Sequence, residues 1–169
     1  MLLLLNCKVG ELKVPNWGYS TINLDPDRTV RASGRELRVS PKAAREVCDT
    51  IRGMKVEKAK DFLQQVIRKR KPVPFKRHIK KGGHRRGLVK SYAGGYPVKA
   101  AAGVLKVLEN AETNADYKGF DIERLRIIHA AAYHGVKIRK YIPRAFGRAT
   151  PYFKQLCHVE LVLEQMEAF

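Results

Sequence analysis

The residues best suited to covalent or acid–base chemistry are three cysteines, five histidines and a scatter of acids, and their spacing argues against catalysis. Cys7, Cys48 and Cys157 are odd in number and far apart, which fits free thiols in a reducing cytosol better than a disulfide framework. Cys48 falls on an apolar helical stripe, so a small buried hydrophobe is expected there rather than a nucleophile. His129, His134 and His158 fall on expected strands without metal-ligand spacing, so structural or RNA-contacting roles rank ahead of zinc. Gly82-Gly-His-Arg-Arg-Gly87 lacks the lysine and hydroxyl of a nucleotide-phosphate loop. Asp116, Asp121 and Glu123 gather near the end of an expected helix, where solvation explains them better than paired acid–base work. No catalytic residue, metal or cofactor is expected, and the chain does not read as an enzyme.

The chemistry that the sequence does support is ionic. Thirty-four Lys and Arg against sixteen Asp and Glu leave a formal charge of +18 on 169 residues. A chain so charged repels itself and is relieved best by a polyanion, through neutralised phosphates and released counterions. The charge is also segregated. From Phe62 through Leu108 there is no acid, while Arg68, Lys69, Arg70, Lys71, Lys76, Arg77, Lys80, Lys81, Arg85, Arg86 and Lys90 crowd the middle. From Arg124 through Val159 there is again none, and that window holds Lys137, Arg139, Lys140, Arg144, Arg148 and Lys154. A single cationic run reads as a solvated face, but solvated faces interleave both signs, and two long acid-free windows do not.

Aromatic and imidazole rings punctuate both windows: Phe75, His78, His84, Tyr92 and Tyr96 in the first, then Tyr133, His134, Tyr141, Phe146, Tyr152 and Phe153 in the second. Rings and arginine planes stack on unpaired bases while lysine and arginine charge takes phosphates. The expected nucleic-acid contacts are therefore Lys69, Arg70, Lys71, Lys76, Arg77, His78, Lys80, Lys81, His84, Arg85, Arg86, Lys90, Lys137, Arg139, Lys140, Tyr141, Arg144, Arg148 and Lys154. A membrane surface is the weaker alternative: there is no basic amphipathic helix, no lipid anchor and no run of about 18 apolar residues. Met1-Leu-Leu-Leu-Leu5 is too short, and too poor in flanking signals, for a leader peptide.

The elements that must position these charges follow from periodicity. With 44% apolar residues the chain can bury a core in one domain. Asp25-Pro26-Asp27 reads as a turn and Glu36-Leu-Arg-Val39 as a short strand. Ser40-Pro41 opens a first helix with Ala44, Val47, Cys48 and Ile51 on one face, closed by Gly53. A second carries Ala59, Phe62, Leu63, Val66 and Ile67 and stops at Pro72. A third runs from Pro97 to about Tyr117, with Ala101, Val104, Leu105, Leu108, Ala111 and Ala115 inward and Gly119 at its end. Between the second and third lies an extended basic loop, 71–96, too long for a simple connection and so either functional or unfolded until bound.

From Glu123 the period becomes two. Leu125, Ile127 and Ile138 suggest one strand, and Val159, Leu161 and Leu163 a returning one. Pairing Leu125 with Leu163 places the bend near Arg144 to Gly147. Limbs of about 20 residues at about 3.3 Å each give a hairpin reaching roughly 60 Å, more than a small body can cover. The expected fold is α+β: three helices packed on a small antiparallel sheet, with the basic loop and a long protruding β-hairpin.

Arg139, then after four residues Arg144-Ala-Phe-Gly-Arg148, then after nine His158-Val-Glu-Leu-Val-Leu163, resembles the signature of the ribosomal protein L twenty-two family. Ile51-Arg-Gly-Met54, Ala59-Lys-Asp-Phe-Leu63 and Glu109-Asn-Ala-Glu-Thr-Asn-Ala115 resemble it in the same order, and the resemblance runs from about Tyr19 to Glu164. The loop holding Val73-Pro-Phe-Lys-Arg77 and ending Gly95-Tyr-Pro97 is similar to the archaeal and eukaryotic branch, whose eukaryotic member is called L seventeen. Bacterial members join those helices directly.

The resemblance implies a cytoplasmic structural constituent of the large ribosomal subunit that binds 23S-type ribosomal RNA and organises several of its domains during assembly. It implies neighbouring ribosomal proteins including L four, and a hairpin, about 124–164, lining the nascent-peptide exit tunnel. The tip would be Ile142, Pro143, Arg144, Ala145, Phe146, Gly147, Arg148, Ala149 and Thr150. Residues 1–18 form an N-terminal extension with no assigned role, and 19–169 a single domain. A free nucleic-acid-binding regulator would offer a compact reading surface, and an RNA-modifying enzyme a concave site with perturbed acids and bases; neither pattern is present.

Overall fold

The computed structural model describes residues 18–21, 24–79, 82–88 and 91–166. Strand β1 (Thr29–Leu37) leads into helices α1 (Pro41–Ile51) and α2 (Val56–Ile67). A short ladder, β2 (Val73–Pro74) with β3 (Gly94–Gly95), crosses the basic loop before the long helix α3 (Val98–Tyr117). A 3-10 turn, Ile122–Arg124, then opens the hairpin. Its members are β4 (Leu125–Ile138), β5 (Tyr141–Pro143), β6 (Ala149–Pro151) and β7 (Lys154–Gln165).

The expected α+β architecture is present, with three helices and antiparallel sheets. In the main sheet β7 lies between β1 and β4, antiparallel to both. A central strand packed on by helices needs a nearly continuous apolar run, and β7 supplies Leu156, Cys157, Val159, Leu161, Val162 and Leu163, all buried. Into the same core pack Val47 and Ile51 of α1, Val104, Leu108 and Ala111 of α3, and Leu63 and Val66 of α2, which lies mainly on α3. Burying a side chain of this size contributes roughly 1.5–3 kcal/mol, so these facing stripes carry most of the fold.

The helix boundaries follow local chemistry. The Ser40 carbonyl accepts the Ala44 N–H at 2.9 Å, Pro41 sits in the first turn, and Gly53 takes a left-handed φ of 82° after α1. The Gly53 N–H then donates to Ile127 O at 2.8 Å, tying the α1–α2 corner to β4. No helix among the described residues is long and apolar enough to cross a membrane.

Three details differ from the sequence reading. The strand expected at Glu36–Val39 is the end of a longer one, Thr29–Leu37, which bulges where Glu36 takes φ 51° before Leu37 pairs with Cys157. Its inward residues Val30, Ala32 and Gly34 grow smaller along the strand, so its hydrophobic alternation is faint. Leu125 pairs with Gln165 rather than Leu163, because the turn centres on Phe146, while register shifts between Ile127 and His129 and between His134 and Lys137 each insert a residue into β4. Such bulges flip the pleat: Leu125 and Ile127 face the core before the first, and Ala130 after it. Leu105, expected inward, is only partly buried against the core. Of the N-terminal extension, all but Gly18 lies outside the described residues.

Candidate nucleic-acid interface

The basic loop is held by its backbone. Phe75 N–H donates to Ala93 O at 3.0 Å, Arg85 N–H to Tyr92 O at 3.3 Å and Gly94 N–H to Gly83 O at 3.2 Å. Val73 is fully buried in the core, which anchors the ladder there, and the neighbouring Ala93 is fully buried as well. A Cβ on Gly94 would lie 2.7 Å from the Val73 carbonyl oxygen, so the close approach requires glycine. From the body, the buried carboxylate of Glu46 accepts the N–H of Lys76 at 2.9 Å, of Arg77 at 3.1 Å and of His78 at 3.2 Å.

With the backbone satisfied inward, the cations face out. Lys69, Arg70, Lys71, Lys76, Arg77, His84, Arg85 and Arg86 are exposed and His78 is half-buried, whereas Lys80, Lys81 and Lys90 lie outside the described residues. Some rings are engaged within the loop itself. The Arg85 guanidinium sits 5.7 Å from the Tyr96 ring centroid, and the His84 and Tyr92 rings are 5.4 Å apart.

The second window folds as a hairpin in which every residue from Arg139 to Lys154 is exposed. Tyr141, Ile142 and Pro143 pair with Pro151, Thr150 and Ala149. The turn closes with Arg144 N–H to Arg148 O at 2.8 Å and Arg148 N–H to Ala145 O at 3.4 Å. At its apex Phe146 and Gly147 take φ of 57° and 65°, and the Phe146 side chain is 98% exposed. A bulky residue held in left-handed backbone with its ring in solvent is uncommon, since that conformation costs about 1–2 kcal/mol. Lower on the arm the rings cover the ribbon instead. Tyr141 meets Phe153 edge-on at 5.8 Å, and the Lys137 ammonium lies 4.8 Å from the Phe153 centroid.

Ion pairs among the described residues lie in the body: Arg45 and Arg52 with Asp49, Lys60 with Glu112, and Arg124 with Asp121. Among the described residues, no cation at the predicted loop and arm positions is ion-paired. A groove at the root of the arm gathers two of them, Lys140 and Lys154, with Arg38 and Lys99 of the body. Sequence reasoning missed the latter pair, because each is an isolated cation among apolar neighbours and only folding brings them to the arm. The two described thiols, Cys48 and Cys157, are buried and offer no reactive centre. Burial pushes Cys48 up to about 12, with Cys157 adding to the effect, and burial alone pushes Cys157 up to about 11.

The family model described as "Ribosomal protein L22p/L17e" matches residues 32–164 of this chain. The chain belongs to that family. It is therefore a structural ribosomal protein and not an enzyme. Similar proteins named large ribosomal subunit protein uL22 come from archaea. That of Archaeoglobus fulgidus is 55% identical over 83% of this chain and 90% of its own length. That of Methanopyrus kandleri is 53% identical over 90% and 98%, and that of Methanocaldococcus jannaschii 50% identical over 85% and 92%. The matched range spans both acid-free windows.

Proposed function

We propose that this chain is a cytoplasmic constituent of the large ribosomal subunit. Residues 19–169 act as one unit that binds 23S-type ribosomal RNA and helps organise several of its domains during assembly. Its neighbours are other large-subunit proteins, including L four, and residues 142–150 line the exit tunnel where nascent peptide passes. The observation that carries this reading is the arm: sixteen consecutive exposed residues, 139–154, with five cations and no acid. A ribbon this polar, with no core of its own, gains its order from what surrounds it, and a phosphate lattice supplies the missing charge.

The division of labour follows from the fold. The three helices and the sheet bury the core and fix the strands' roots, the loop and arm neutralise phosphates, and the tight turn keeps the tip thin. Two measurements test this. After a high-salt wash the protein should co-sediment with large subunits on a sucrose gradient; recovery only in the soluble fraction would favour a free regulator. A photo-crosslinking amino acid at Phe146 should label nascent chains in stalled ribosomes, and labelling of ribosomal RNA or protein alone would remove the tunnel assignment.

A further inference from the structure

A groove of about 400 Å³ at the root of the arm is lined by Arg38 and Ser40 before α1, Lys99 of α3, Ile138 and Lys140 of the outgoing limb, and Lys154 of the returning one. Four cations from four separate chain segments converge there, all exposed. No described acid is ion-paired with any of them. Beneath lie Val39, Ile138 and the buried Leu156, so the charge sits over a low-dielectric floor that concentrates its field. The openings of α1 and α3 add to the same sign: neither has a side-chain cap or an acid in its first turn. Among the groove's lining residues there is no acid to offset this repulsion.

We infer that this groove seats phosphate groups of the RNA backbone and so locks the root of the arm against the helical body. The inference rests on the ribosomal RNA reading above and extends it to Arg38 and Lys99, residues outside both the loop and the arm. RNA is favoured over an acidic polypeptide because the groove is continuous with the arm. Lys140 and Lys154 stand near the two ends of its exposed segment, so one cation track runs from tip to body. A phosphate shared by Arg38 or Lys99 and by Lys140 or Lys154 bridges elements that the backbone joins only through the sheet.

The test compares full-length protein with Arg38→Gln/Lys99→Gln and with the charge-matched Lys58→Gln/Lys106→Gln, which alters exposed body lysines outside the groove. Binding to large-subunit ribosomal RNA is measured across salt concentrations, after equal melting temperatures confirm intact folds. Each lost phosphate contact lowers the salt slope by about one, so the groove variant should lose about two and the control less than one. Equal losses in both variants would overturn the groove while leaving RNA binding intact. Sensitivity of polyglutamate binding alone to the groove substitutions would also overturn it, in favour of an acidic protein. Failure of the wild-type chain to bind ribosomal RNA would instead sink the reading on which it rests.

Discussion

Glu46 of α1 and Arg77 of the basic loop meet through a 3.1 Å hydrogen bond from the Arg77 backbone N–H to a carboxylate oxygen. The same carboxylate takes the Lys76 and His78 N–H groups, so one buried acid from the body organises three successive residues of an acid-free loop. Because it binds backbone rather than side chain, it fixes the path of the loop and leaves the Lys76 and Arg77 charges free for a partner.

Replacing that acid should loosen the loop before the core. Glu46→Gln keeps the shape but turns one acceptor into an amide donor facing backbone donors. Hydrogen bonds to a charged group contribute about 1.5–3 kcal/mol, so a loss of about 2 kcal/mol is expected in denaturant unfolding. Trypsin should cut between Lys76 and Arg86 faster than in the wild type. Unchanged stability and unchanged cleavage would refute the anchoring role.

Gly34 of β1 is a packing position. A Cβ there would lie 2.4 Å from Val107 Cγ2 on α3, and a β-branched side chain on a helix cannot swing away. Gly34→Ala should destabilise by about 1–3 kcal/mol. Adding Val107→Ala removes the obstructing methyl, so the double variant should be more stable than the two separate losses add up to. A strictly additive double-mutant cycle would show that the clash is relieved elsewhere.

Such positions mark what the sequence discloses. The three helices were legible because their apolar stripes are strong and punctuated by Ser40-Pro41, Gly53, Pro72 and Gly119. Both charged segments were legible because the absence of acid is visible without any structure. The start of β1 was not, since close packing on α3 demands small inward residues and thereby erases the alternation that announces a strand. The β4 register was not, because a bulge leaves no mark in composition. Glu46 and the Arg38–Lys99 pair were hidden for one reason: their partners lie far off in the chain, and only the fold brings them together.

The thiols give the body a pH dependence. Cys48 and Cys157 ionise near 9.0 when unfolded but only near about 12 and about 11 when folded. Above pH 9 the unfolded chain therefore binds fewer protons than the folded one, and stability falls as pH rises through that window; below it the full contribution is present. Stability measured from pH 8 to 11 should decline less steeply in Cys48→Ala than in the wild type, once the variant's constant packing loss is subtracted. Parallel slopes would mean that the Cys48 thiol is not buried as described.

The tip should be dispensable for folding and for attachment. Replacing Pro143–Ala149 with an Asn-Gly turn removes only exposed residues, paired with one another or closed within the turn, and leaves the Ile142–Thr150 pair to flank the new turn. Surface changes of that kind stay within about 0.5 kcal/mol, so the melting midpoint should barely move. Lys137, Arg139, Lys140 and Lys154 remain, while Arg144 and Arg148 are lost, so binding to large-subunit RNA should persist with a salt slope lower by about two. Large subunits carrying the shortened protein should form, and the change should appear as altered crosslinking or stalling of nascent chains. Complete loss of subunit incorporation would contradict this division: it would mean that the turn, not the loop and the limbs of the arm, holds the protein on its RNA.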